Sequence, residues 1–244
     1  VGRMTGEKKR ALKWIVLETI AANLGSMATP IGNPQNLYLY SAFQMTLGQF
    51  LIAVVPYALA ALLLLLLILW IGKKEKLETE KIPAKRKERV PNFPVRLTAF
   101  LLMLILCLLV VFRVLPYVPV LVCVILITLA VNRKMFRCVD YFLLMTFVCF
   151  FVFIGNVKRV PEVESLLARL VSGRELLTGI LASQVISNVP AAILLSGFVS
   201  DIPQLLTGVN LGGLGTMIAS LASLISFKLF SAGFPKQGGA FIKT

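Results

Sequence analysis

The stretch Ala22–Asn36, with the sequence ANLGSMATPIGNPQN, interrupts an otherwise apolar segment with glycine, proline and polar residues. Glu18 is the only charged residue between Trp14 and Trp70, which places the interruption at membrane depth. Backbone that leaves a helix there is tolerated only where it is buried in protein or lines a cavity. The stretch therefore predicts a broken transmembrane helix that contributes to a binding site.

The same pattern returns near the other end of the chain. Asn, Leu, Gly, Thr and Ile of the segment Asn23–Ile31 recur in Asn210–Ile218 at one constant offset. Paired Gly- or Pro-interrupted apolar segments in corresponding halves indicate the midplane site of a secondary transporter. The alternative is a pair of kinked helices whose small residues only permit close packing. The repetition favours the site.

Composition indicates an all-α polytopic membrane protein, because the 244 residues are 58% hydrophobic with a mean hydropathy of +0.87. The net charge of +14 comes from Lys and Arg between the apolar runs, so it reflects topology and predicts no nucleic-acid partner. There is no histidine, and the four cysteines lack metal-ligand spacing. We therefore expect no enzyme activity, no metal site and no cofactor.

The chain divides into three parts by composition. Residues 1–71 predict a broken helix, with halves ending near Ala22 and resuming near Asn36, followed by one full helix. Residues 72–96 hold nine Lys/Arg, four Glu and three Pro, which predicts a solvated linker. Residues 97–244 predict three helices, a short amphipathic helix over 161–171, a re-entrant hairpin at about 174–200 and a second broken helix at about 202–230.

Basic residues predict the orientation. With a re-entrant hairpin there are about six crossings, and 20 of the 25 Lys/Arg then share one side of the membrane. We expect that side to be cytoplasmic, with both termini and the linker on it, in the plasma (inner) membrane.

Two further features are candidates for chemistry. Ser187-Asn188-Val189-Pro190 breaks an apolar segment and supplies polar groups where the backbone opens; the alternative is a proline that only breaks a helix. Glu18 is a candidate coupling carboxylate for protons or sodium. A carboxylate within the membrane costs free energy, so such residues usually take part in proton or ion transport. Glu18 could equally reach the interface or pair with Lys13.

As a set, these motifs resemble the ion transporter superfamily, in its citrate-transporter-like, arsenite-permease and sodium/proton-antiporter branch, which is related to divalent anion/sodium symporters. The resemblance implies an inverted-repeat bundle in which each repeat has a re-entrant hairpin with a Ser-Asn-Thr-like tip and then a discontinuous helix. Ser187-Asn188 resembles the second tip, with Val189 in place of threonine. A first hairpin and a last helix are missing, so we expect a chain truncated at both ends.

The resemblance implies secondary active transport of a small anion, citrate or another carboxylate, coupled to Na⁺ or H⁺. Sodium/proton exchange or arsenite-type oxyanion efflux is the alternative within transport, and a non-transporting fragment or assembly partner is the alternative outside it. The expected partners are the anion, the lipid bilayer and a second copy in a homodimer. Besides Glu18, the expected substrate- or ion-binding residues are Asn23, Gly25, Ser26, Thr29, Gly32, Asn33, Asn36, Ser187, Asn188, Val189, Asn210, Gly212, Gly213, Gly215 and Thr216.

Overall fold

The computed structural model describes residues 8–71, 92–157 and 159–234, and within them the protein is helical, without a β-strand. In chain order the helices are α1 (Lys8–Met27), α2 (Pro34–Ala42), α3 (Leu47–Ile71), α4 (Phe93–Val111), α5 (Tyr117–Asn132), α6 (Tyr141–Val157), α7 (Pro161–Val171), α8 (Glu175–Ile186), α9 (Asn188–Leu195), α10 (Ile202–Gly212) and α11 (Leu221–Gly233). A 3₁₀ helix at Arg133–Cys138 extends α5.

Long apolar helices identify an integral membrane protein. Three are long and apolar enough to cross a bilayer: α3, α4 and the continuous Tyr117–Cys138. The pair Leu144–Val157 and Pro161–Val171, bent by 102°, would make a fourth. The six crossings and the inverted repeat remain predictions, because length and composition alone identify fewer spans in the described residues.

Contacts between residues group the chain into two compact units. One joins Val1–Glu80 with Cys149–Thr244, and the other is Lys81–Val148. The first unit contains both broken helices and the hairpin, and therefore every predicted site residue. In the second unit α4 packs against α5. Of the predicted linker, residues 72–91 lie outside the described part of the chain, whereas Phe93–Arg96 already belong to α4.

The first helix break, residues 28–33, is shorter than the sequence predicted. Helix α1 does not end near Ala22 but continues to Met27, and α2 begins at Pro34 rather than near Asn36. Pro30 accounts for the end of α1, because it lacks the N–H that would bond to the carbonyl of residue 26. Asn33 caps α2, with proline at the first helical position, where its missing N–H costs nothing.

The second break, residues 213–220, also lies later in the chain than the predicted Asn210–Thr216. Helix α10 runs to Gly212 and α11 begins at Leu221, so Asn210 belongs to the last turn of α10. Ser220 caps α11 by accepting from the N–H of Ser223 at 3.1 Å. Asn33 accepts from Asn36 N–H in the same way at 3.0 Å. Asn33 and Ser220 are the same number of residues apart as Asn23 and Asn210. The sequence repeat therefore extends to the residues that cap the second half of each broken helix.

The hairpin is formed by α8 and α9, which meet at Ser187. This residue has a φ of 73°, a conformation that costs a non-glycine residue roughly 1–3 kcal/mol and that is concentrated at functional sites. This backbone conformation at Ser187 allows α9 to begin at the next residue, Asn188. Pro190 therefore lies in the first turn of α9, where a proline does not disrupt the helix.

Small residues hold α8 against α10. A Cβ on Gly208 would overlap the carbonyl oxygen of Leu176, and one on Gly212 would lie 2.7 Å from the Cβ of Ser183. Such contacts let membrane helices approach closely and gain packing energy. The hairpin and the helix that carries Asn210 are thus in direct contact.

The base of the hairpin is closed by a buried carboxylate that the sequence analysis did not single out. Glu175 is 1% exposed, and Ser200 Oγ donates to its Oε1 at 3.1 Å. Backbone groups at residues 173, 175 and 200 also hydrogen-bond this side chain. The Glu175 carboxyl group therefore joins the two ends of the hairpin.

Candidate functional site

A buried amide joins the two broken helices. Asn210 is 4% exposed; its Nδ2 donates to Asn36 Oδ1 at 2.6 Å and to the Leu206 carbonyl at 2.8 Å. Its Oδ1 accepts from Asn33 Nδ2 at 3.1 Å and from Gln35 Nε2 at 3.5 Å. All hydrogen bonds of the Asn210 carboxamide are therefore made with its own helix and with residues of the first broken helix.

Asn36 closes the first break. The last carbonyls of a helix have no partner within it. Asn36 Nδ2 lies 3.4, 3.2 and 3.0 Å from the carbonyl oxygens of Ser26, Met27 and Thr29, and so supplies a donor at the end of α1. Gly32 makes the tight approach possible, because a Cβ there would overlap the Ser26 carbonyl oxygen.

The contacts between the breaks are reciprocal. Asn23 Nδ2 donates to Ser220 Oγ at 3.1 Å and to the Gly213 carbonyl at 3.4 Å. In the repeated pattern, Asn23 corresponds to Asn210 and Ser220 to Asn33. In each half, the helical asparagine therefore contacts the cap residue of the other half, as expected for contacts related by a two-fold axis.

The hairpin tip lies against the second break. The backbone N–H of Asn188 donates to the Ala219 carbonyl at 2.9 Å, and Ser187 Oγ donates to the same oxygen at 3.4 Å. Asn188 Nδ2 is 2.7 Å from where a Cβ of Gly213 would be, so any larger residue at 213 would displace the Asn188 carboxamide. Asn188 is 5% exposed as a residue, and its carboxamide forms no hydrogen bond within the described ranges. Because its donor and acceptor are both free at the hairpin tip, this carboxamide is a candidate ligand contact.

A cleft of about 310 Å³ lies between α1 and the second break. Its polar lining is hydroxyl and amide, and no Lys, Arg, Asp or Glu belongs to the lining formed by the described residues. Asn23 lines the cleft, and its Nδ2 donates to the Gly213 carbonyl. Gly213 in turn lies close to the Asn188 carboxamide. The lining residues are Val16, Thr19, Ile20, Asn23, Leu214, Gly215, Thr216, Met217, Ile218 and Ser223.

The structure brings most of the predicted site residues together around the two breaks and the hairpin tip. Ser26 accepts from Asn33 Nδ2 at 3.4 Å, and Val189 is buried beside Asn188. Three predicted residues do not join the cluster through their side chains. Gly25 is exposed in α1, Thr29 is exposed and contributes its carbonyl, and Glu18 is exposed and does not line the cleft.

Several residues at the site were not predicted. Ser220 and Ser223 could have been found by extending the repeat a few residues, because they match Asn33 and Asn36. Gln184 is a polar residue one turn before the hairpin tip, and its partners lie in the second break. The sequence alone does not bring those positions together. The other two residues missed are Thr19 and Gln35.

A model of the citrate transporter family matches residues 3–227. An uncharacterized transporter of Methanocaldococcus jannaschii is 35% identical over 217 residues, covering 89% of this chain and 58% of the relative. An inner membrane protein of Escherichia coli is 32% identical over 221 residues, covering 88% of this chain and 58% of the relative. The chain thus spans 58% of the length of each of these relatives. No solved structure matches the chain.

The amide network yields a stability prediction. Asn210→Ala should lower the unfolding temperature of the purified protein, because buried amides of the first break lose their partner at roughly 1–3 kcal/mol each. Asn156→Ala is the matched control, since Asn156 is exposed and its side chain donates within α6, to the Val152 carbonyl at 3.0 Å. Asn36→Ala combined with Asn210→Ala should cost less than the sum of the two single changes. Additive losses would show that the two amides do not act together.

Proposed function

Because the chain belongs to the citrate transporter family, we propose that it serves secondary active transport of a small anion, citrate or another carboxylate, coupled to a cation. The observation that carries the proposal is a pair of carboxamides, those of Asn23 and Asn188, that both lie close to Gly213. The Asn188 carboxamide has no partner in the described structure, and Asn23 uses its Nδ2 but leaves its Oδ1 without a bond there. These groups are available to a ligand.

The hairpin tip favours an anion. Asn188 is the first residue of α9, and the N-terminus of a helix carries partial positive charge. The backbone N–H of Asn188 is already bonded to the Ala219 carbonyl and Pro190 has no N–H, so the helix dipole is the backbone's main contribution to anion binding. The Asn188 carboxamide adds a donor at the same place. Together with the hydroxyls of Ser220 and Ser223, these groups can hydrogen-bond carboxylate oxygens from several directions.

The uncharged lining of the cleft supports cation coupling. A carboxylate that leaves water for a site without Lys or Arg pays a large desolvation cost unless another positive charge enters with it. Sodium fits this role, because the breaks present backbone carbonyls and the Asn23 Oδ1, which are oxygen ligands. We assign the cation to the same loops as the anion.

The reciprocal contacts support an inverted repeat. If the two broken helices are related by a pseudo-two-fold axis in the membrane plane, their breaks meet at the midplane, where substrate sites of such transporters lie. We place the protein in the plasma membrane with the basic linker and both termini in the cytoplasm, as the distribution of Lys and Arg favours.

Arsenite-type efflux is the second candidate, and the uncharged cleft favours it. A neutral oxyacid needs no counter-charge, and hydroxyl and amide groups can bind it. Uptake assays with citrate and with arsenite, each with and without sodium, separate the two. Sodium-dependent citrate flux supports the first, and sodium-independent arsenite flux supports the second.

Two asparagine substitutions test the site. Asn188→Ala and Asn23→Ala should each lower the apparent affinity for citrate by about five- to 150-fold, the effect of losing roughly 1–3 kcal/mol of hydrogen bonding in a dry site. Citrate uptake into proteoliposomes measures the change. Asn156→Ala, which alters an exposed residue of α6, should transport like the parent. Parental affinity in both site variants would contradict the assignment.

Glu18 separates symport from proton exchange. Its side chain is exposed and lies outside the cleft lining, so Glu18→Gln should leave sodium-driven citrate uptake and its pH dependence unchanged. Proton exchange through this carboxyl would instead lose its pH dependence in the variant. Flux recorded against external pH in parent and variant decides between them.

A further inference from the structure

One side chain of the hairpin bridges the second break. Gln184 Nε2 donates to the Gly212 carbonyl at 2.7 Å, and its Oε1 accepts from the Thr216 N–H at 2.8 Å. Gly212 ends α10, so its carbonyl lacks the bond from residue 216 that a continuous helix would give and accepts only a tighter bond from Gly215 N–H at 3.1 Å; Thr216 lies in the irregular backbone that follows. The amide of Gln184 thus replaces the hydrogen bonds that a continuous helix would provide.

Further contacts fix the same residue in place. Gln184 Nε2 also lies 3.1 Å from the Ile180 carbonyl, and the Gln184 carbonyl accepts from Thr216 Oγ1 at 3.3 Å. The glutamine fills the space over Gly215, because a Cβ there would overlap Gln184 Oε1. Residue 215 must therefore be glycine as long as Gln184 stays bonded.

The two breaks are closed in different ways. In the first, the donor is Asn36, which belongs to the second half of the same broken helix. The residue at the corresponding position of the second break is Ser223. Its hydroxyl is bonded to Ser220 Oγ at 2.9 Å and is too short to reach the end of α10 as an asparagine does. The second break therefore takes its amide from α8, another element of the chain.

We propose that Gln184 is a positioning residue that fastens the second break to the hairpin, so that this break opens when the hairpin moves while the first break stays closed. The consequence for transport rests on the proposed function, because Thr216 and Met217 of this break line the cleft. Displacement of the hairpin would remove the bonds of Gln184 and open the cleft on that side. The first break would keep its conformation, because its carbonyl groups are bonded by Asn36 of the same broken helix.

Accessibility to a thiol reagent tests the proposal without any transport assay. Single cysteines are introduced at Met217 and, separately, at Ala28 of the first break, both of which are partly buried, in a background in which Cys107, Cys123, Cys138 and Cys149 are serine. Gln184→Ala should raise the rate of maleimide modification at position 217 by at least about fivefold, the effect of losing one hydrogen bond. The rate at position 28 should not change. An unchanged rate at 217, or equal increases at both positions, would overturn the proposal.

A second substitution tests the contact from the other side. Gly215→Ala should expel the Gln184 side chain and raise the rate at position 217 as much as Gln184→Ala does, whereas the two changes together should add nothing more. Gly48→Ala is the matched control, because a Cβ at that glycine meets open space. Additive effects would mean that Gly215 and Gln184 act independently, which contradicts the proposal.

Citrate uptake by the same variants links the contact to transport. Gln184→Ala should raise the half-saturating citrate concentration by about fivefold or more, since the cleft wall is no longer held in place. Should the parent protein carry no citrate, the proposed substrate is wrong, yet the labelling results still decide the role of Gln184. A parent that transports citrate and a Gln184→Ala variant with parental half-saturation would overturn the link to transport.

Discussion

In a membrane, backbone N–H and C=O groups that leave a helix must find partners within the protein, and the two broken helices depend on how this requirement is met. Amide side chains meet it. Asn36 donates to the carbonyls at the end of α1, Gln184 bridges the end of α10 and the loop after it, and Asn210 connects the breaks. Removing Asn36 or Asn210 would leave buried polar groups without partners, and removing Gln184 would detach the loop after α10 from the hairpin, so the irregular backbone and the side chains that bond to it form one structural unit.

The same requirement determines what remains for a ligand. Most polar groups of the breaks are used internally, as the complete bonding of the Asn210 carboxamide shows. Asn188 lies at the tip of a strained turn and its carboxamide has no partner among the described residues. A scaffold in which most amides bond to one another, while the Asn188 carboxamide and the Asn23 Oδ1 stay free near an uncharged cleft, is suited to a small polar ligand. This contrast, rather than the presence of many asparagines, is the reason to place the anion there.

The sequence predicted the existence of the breaks better than their limits. Asn23, Gly25 and Ser26 suggested irregular backbone, but glycine and serine are common within membrane helices, and only Pro30 removes a helical hydrogen bond. The caps Asn33 and Ser220 follow the repeat, so extending it would have located the start of the second half-helices. Gln184 and Asn210 were harder to assign, because their roles come from contacts with residues 28 and 174 positions away. Such contacts depend on tertiary packing that no local pattern contains.

We propose that the two breaks and the hairpin tip form one anion site held together by the amide network. A cryo-electron microscopy map of the protein with citrate and sodium would show this site. We expect density for citrate within hydrogen-bonding distance of the Asn188 and Asn23 carboxamides, with Asn210 still bonded to Asn33 and Asn36. Citrate bound elsewhere, or breaks separated from each other with Asn210 facing lipid, would contradict it.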